Sequence, residues 1–65
     1  MELYRVPNNT RIRTLEENTG PAGQAPVPKG TVLNFKHIDG AYSFCQDDER
    51  NIVHLKAWLD VEVVK

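Results

Sequence analysis

GTVLNFKHIDGAYSFCQDDERNIVHLKAWLDVEVVK, residues 30–65, is the stretch that decides the fold. Short runs of β-branched and aromatic residues are separated by Asp39-Gly40, by the polar group Asp47-Asp48-Glu49, and by one non-alternating segment before a Val-rich end. Such side chains suit a pleated, half-buried surface, and Asp-Gly readily takes the backbone of a two-residue hairpin. The rhythm predicts a small, strongly curved antiparallel barrel. Its strands are expected over 30–36, 41–46, 51–55 and 61–65, with a 3₁₀-like turn over 56–60. Side chains alternate between the two faces of a strand. The expected inward pairs are Leu33/Phe35, Tyr42/Phe44, Val53/Leu55 and Val61/Val63, with Ser43 and Cys45 on the face opposite Tyr42 and Phe44.

Upstream, ELYRV (residues 2–6) reads as a short strand. Pro7-Asn8-Asn9 reads as a turn, since Pro presets φ and Asn tolerates left-handed backbone. TRIRTL (10–15) alternates polar and apolar residues, as a half-buried strand does. Residues 16–29 form a long Pro/Gly-rich loop, with Gly20, Gly23, Pro21, Pro26 and Pro28 excluding a helix or a central strand. Loops of this length are commonly functional or mobile, and high mobility is expected over 20–28. The whole reads as one all-β domain, residues 1–65, of five to six strands.

A chain of 65 residues buries only about 60% of its unfolded surface, so every core contact counts. One Cys and two His are too few for a structural zinc site, and Cys45 has no disulfide partner within the chain. An unpaired Cys suits a reducing compartment. Residues 1–10 lack a signal-peptide core, and no apolar run has transmembrane length. A soluble cytoplasmic protein without membrane contact is expected. Eight Lys/Arg stand against nine Asp/Glu for a net charge of −1. A dedicated duplex-DNA binder carries a basic excess, so this balance argues against one.

The order of strand, long irregular loop, three-strand meander, short turn and last strand resembles the small barrels of the Src-homology-3 type, a class that includes KOW and Tudor modules. LKAWLDVEVV (55–64) resembles the ending of that class, where a 3₁₀ turn feeds a closing Val-rich strand. The resemblance covers most of the chain by pattern. It departs from the peptide-binding members, because no ALYDY-like motif or paired Trp is present and Leu3 to Val6 offers only LYRV. Pro28-Lys29-Gly30 is a partial match to a KOW context. FKHIDGAYSFCQDDERNIVHLKAW is also similar to short accessory proteins of tailed bacteriophages. That similarity carries no activity onto any residue, and it implies a host protein as partner and the host cytoplasm as location.

Catalytic chemistry finds little support. Cys45 with His37 or His54 would make a nucleophilic pair, but a small residue within a strand ordinarily packs, and no helix N-terminus is present to activate the thiol. A metal site from His37, His54, Cys45 and Asp39 would need the hairpin to gather them. Asp47, Asp48 and Glu49 are adjacent in a turn and are expected in solvent, and no Gly-rich phosphate loop precedes a helix. No catalytic residue, cofactor or metal is therefore assigned. The amphipathic aromatics Trp58, Tyr4 and Tyr42 carry more weight as a partner-binding set. For Trp58 the competing role is a core plug at the end of the barrel. Arg5, Arg11 and Arg13 supply the alternative, a basic patch for nucleic acid, with 11 and 13 on one face of a strand. The leading expectation is a non-enzymatic protein-interaction module. The second is a KOW-like nucleic-acid binder, and self-association through an open strand edge is the third.

Overall fold

The computed structural model describes residues 1–65. Five strands are present: β1 (Thr10–Thr14), β2 (Val32–Asp39), β3 (Tyr42–Gln46), β4 (Ile52–Val53) and β5 (Val61–Val63). They form a single antiparallel sheet in the order β4-β3-β2-β1-β5. No α-helix occurs, and the lone helical element is a 3₁₀ turn at Leu3–Arg5. β2 is the axis of the sheet. Its first half pairs with β1, from Val32↔Arg13 to Phe35↔Thr10, and from Asn34↔Gln46 to Asp39↔Tyr42 it pairs with β3. The register shifts between Phe35 and His37, a bulge of the kind that bends a strand and sharpens its twist. Gly40 (φ 64°) supplies the left-handed backbone of the β2–β3 hairpin. Asn9 (φ 61°) plays the corresponding part in the turn before β1.

One face of the sheet holds the core. Ile12, Leu33, Phe35, Cys45 and Val61 come from the strands, and Leu3, Val6, Val27, Leu55 and Leu59 close over them from the connections. The expected inward pairs Leu33/Phe35 and Leu55 with half-buried Val53 lie on this side. On β3 the faces are the reverse of the expectation. Ser43 and Cys45 are fully buried, while Tyr42 and Phe44 are half-buried on the other face. The hairpin sets this parity. Asp39 pairs with Tyr42 across the turn, and the bulge then brings Cys45 opposite core Phe35. A polar residue is tolerated inside because Ser43 Oγ lies 3.1 Å from Leu55 N–H, which it accepts, and 3.0 Å from the Leu55 carbonyl. Val63 shares a face with Val61 but lies beyond the covering segments and is exposed.

Two local elements also differ from the sequence reading. Residues 2–6 are not a strand. Leu3 and Val6 are both buried, three positions apart, and the i→i+3 bonds Arg5 N–H to Glu2 O and Val6 N–H to Leu3 O (3.0 and 2.9 Å) make the 3₁₀ turn that presents them together. The turn before β5 is not the 3₁₀ element. It is closed by one bond, Leu59 N–H to Lys56 O (3.0 Å), between bridges at Tyr42↔Lys56 and Glu2↔Asp60.

The long loop is a strap. Its legs pair at Asn18↔Val27, exchanging bonds of 2.9 and 2.8 Å, and both residues are buried. Its exit is tied to β1, where Thr14 Oγ1 donates to Pro28 O and accepts from Thr31 N–H, each at 3.0 Å. Its tip is bound by side chains. Gln24 and Asn18 hydrogen-bond the backbone of His54 and Lys56 on the far side of the sheet. The mobility expected from Pro and Gly content did not allow for these two amides.

Candidate interaction surface

The turn at 56–59 is gripped from two sides. On one side the N-terminal segment bonds to it, with Tyr4 N–H to Ala57 O at 2.8 Å and Leu3 N–H to Leu59 O at 2.9 Å. On the other, Ala57 N–H reaches Ala41 O at 3.0 Å and Lys56 bridges to Tyr42. Ala57 and Leu59 point inward and are buried, so Trp58 between them points out. Trp58 is 57% exposed and Tyr4 is 50% exposed. Trp58 is therefore not a core plug. The fold places backbone segments carrying all three expected aromatics around one turn, with Tyr4 on the N-terminal side and Tyr42 on the strap side. Tyr42 is half-buried over the strap. A Cβ at Gly20 would stand 3.3 Å from its hydroxyl, so Gly at that position leaves room for the ring. Lys56 Nζ lies 3.4 Å from Thr19 Oγ1, which links the turn to the strap a second time.

The three arginines are dispersed and each faces a carboxylate. Arg5 lies 3.3 Å from Glu2 and over the Tyr4 ring at 5.7 Å. Arg11 reaches across to Asp48 at 3.2 Å and also donates to Asn34 Oδ1. Arg13 pairs with Glu62 of β5 at 2.7 Å, directly opposite it in the ladder. Arg11 and Arg13 share the outer sheet face as their spacing requires, while Arg5 belongs to the Tyr4 turn.

The remaining candidates have structural partners. Burial pushes the Cys45 thiol up, outweighing the opposite effect of Ser43 Oγ at 3.4 Å. His37 stacks on Phe44 at 5.1 Å, and His54 meets the same ring edge-on at 4.9 Å while its Nδ1 lies 2.9 Å from Ser43 O. Nowhere do three His, Cys, Asp or Glu side chains converge, and no pocket opens into the surface. Asp47 organises its own turn. Its carboxylate accepts from Asn51 Nδ2, Asn51 N–H and Glu49 N–H at 2.9–3.0 Å, and these bonds, the Asn51 side chain foremost, hold its pKa below the ordinary value. A depressed carboxylate stabilises the fold above its unfolded pKa of about 4, and that contribution disappears as pH falls through the lower folded value. The Asp47 carboxyl signal in an NMR titration should therefore move at lower pH than that of a free aspartate. A midpoint at or above the ordinary value would mean that the turn is open in solution.

Asn18 and Gln24 are the residues that sequence reasoning missed. Both lie in the segment read as loose, and a lone amide carries no periodicity to mark it as an anchor. Compared with known proteins, the chain matches no family model, no curated protein and no solved structure.

Proposed function

We propose that the chain is a non-enzymatic protein-interaction module of the small Src-homology-3-like barrel type, and that it engages its partner through Trp58 and Tyr4 with Tyr42 at the margin. The observation that carries this reading is a half-exposed Trp on a turn whose backbone is held from both sides, with a half-exposed Tyr on the N-terminal segment that holds it. Large aromatics on a rigid support lose little entropy on binding and supply most of the affinity at protein interfaces. The strand order, with the long connection between β1 and β2, supports the barrel class. The similarity to tailed-phage accessory proteins extends the proposal to a host protein, met in the host cytoplasm.

The nucleic-acid alternative rests on Arg5, Arg11 and Arg13. Phosphate binding draws its free energy from cations that release counterions, and each of these guanidiniums already faces a carboxylate. The pairing favours the protein partner. The two readings separate in one experiment. Wild type and Trp58→Ala are each used to capture proteins from candidate host lysate, and wild type is titrated with single-stranded nucleic acid at ~50 mM salt. The expected result is a protein held by wild type and lost by Trp58→Ala, with the thermal midpoint of the variant moved by only a few degrees, because exposed substitutions change stability by about 0.5 kcal/mol or less. Capture that is indifferent to Trp58, or tight binding of nucleic acid that Arg11→Ala with Arg13→Ala removes, would sink the proposal.

A further inference from the structure

Trp58 stands among charged groups that mostly neutralise one another. Glu2 faces Arg5 at 3.3 Å, and Asp60 faces the terminal ammonium of Met1 at 2.9 Å. Lys56 is the exception. No carboxylate pairs with it, and its Nζ has one polar neighbour, the neutral hydroxyl of Thr19 at 3.4 Å. Lys29, Lys36, Arg50 and Lys65 also lack a carboxylate, but each lies outside the segments that build this turn. Lys56 is held in place as well. Its N–H is bonded to Asn18 Oδ1 at 2.9 Å, its carbonyl accepts Leu59 N–H at 3.0 Å, and the residue is half-buried. Its bridge to Tyr42 puts both side chains on one face, because residues directly opposite in an antiparallel pair share a face. Two residues later the turn presents Trp58. The uncompensated ammonium thus belongs to the residue that connects the Tyr42 margin to Trp58.

We propose that Lys56 selects the partner by charge: the segment that docks on Trp58 is acidic, with an Asp or Glu carboxylate beside the apolar side chain that packs on the indole. This rests on Trp58 being the partner site. A carboxylate brought to Nζ completes the one open charge of the surface. A partner Lys or Arg would meet like charge there and would find Glu2 and Asp60 already engaged. A cation whose backbone is fixed beforehand loses less freedom in forming the pair. A phosphate polymer is a poorer fit, since its affinity comes from several cations acting together and this turn offers one.

The test is selection of binders to wild type from a displayed library of random linear peptides, keeping those that Trp58→Ala fails to bind. Trp58 is the only tryptophan of the chain, so its fluorescence reports the docking of each selected peptide directly. Asp or Glu should be enriched beside an apolar residue in these peptides, and their affinity should fall roughly three- to tenfold in Lys56→Gln. Selection against Lys56→Glu should return Lys and Arg instead. Lys29→Glu changes the net charge equally at an exposed position and should keep the acidic set. The backbone bonds of residue 56 do not involve its side chain, so β circular dichroism should be unchanged throughout, and if Lys56→Glu loses it, Lys56→Gln decides alone. Trp58-dependent peptides without acidic enrichment, or an affinity indifferent to Lys56→Gln, would overturn the charge selection and leave the Trp58 surface standing. The absence of any Trp58-dependent peptide would remove the surface and the selection together.

Discussion

Phe35→Ala should unfold most of the protein at room temperature. Phe35 is completely buried at the centre of the sheet, opposite Thr10 of β1 and Cys45 of β3, immediately before the bulge that bends β2. Removing a buried phenyl ring costs about 3–5 kcal/mol, through lost transfer free energy and the cavity left behind. A domain of 65 residues has a total stability on the order of 3–10 kcal/mol. The loss is thus comparable with the whole. Urea denaturation followed by circular dichroism measures it. Phe44→Ala is the internal control, because that ring is half-buried on the outer face against His37 and His54 and should cost distinctly less. Equal losses at the two positions, or a Phe35→Ala variant weakened by less than about 1 kcal/mol, would show that the core lies on the other face of the hairpin.

Asn18→Ala should be nearly as damaging, although Asn18 is a polar residue in a loop. Its side chain is fully buried, with both amide hydrogens donated to the carbonyls of Gly20 and His54 and its oxygen accepting the Lys56 N–H. Truncation leaves the Lys56 N–H without its acceptor and weakens the satisfaction of two carbonyls. Each buried group left unpaired costs about 1–3 kcal/mol, so a loss of roughly 2–4 kcal/mol is expected. The strap should also loosen, which amide exchange at Val27 and Lys56 would report. Asn18→Asp should be intermediate, since it keeps the acceptor for Lys56 N–H and replaces the donor with a buried charge. A stability change under about 0.5 kcal/mol for Asn18→Ala, the range of ordinary surface substitutions, would mean that the strap is detached in solution.

The alternation in TRIRT, VLNF and the Val-rich end was sufficient to locate β1, β2 and β5, because a strand buried on one face repeats every second residue whatever it packs against. Asp39-Gly40 located the hairpin for a reason equally local, the positive φ that Gly accepts at no steric cost. The inward face of β3 was not legible. YSFCQ alternates whichever face is buried, and its most apolar residues mark the wrong one. The bulge between Phe35 and His37 set the parity, and Ser43 could enter the core only because the Leu55 backbone was there to receive its hydroxyl. The 3₁₀ turn was misplaced for a similar reason. The i, i+3 spacing of Leu3 and Val6 has meaning only once both sides bury against Leu59 and the sheet.

The surface divides in the same way. Composition alone marked Trp58, Tyr4 and Tyr42 as the amphipathic aromatics of the chain, but exposure is a property of packing. Trp58 faces outward because its neighbours Ala57 and Leu59 are held inward by backbone bonds to Ala41 and Leu3. The arginines were visible as a group, whereas their carboxylate partners Glu2, Asp48 and Glu62 come from Arg5's own turn, a distant turn and the opposite strand. What the sequence by itself determined is the all-β class, the approximate strands and the identity of the candidate residues, since these follow from side-chain period, volume and turn chemistry within a few positions. What only the tertiary structure decided is which face is inside, that residues 16–29 are a strap, and which charges and amides are already engaged. Those outcomes depend on groups distant in sequence meeting within hydrogen-bonding range, and a one-dimensional pattern does not encode such distances.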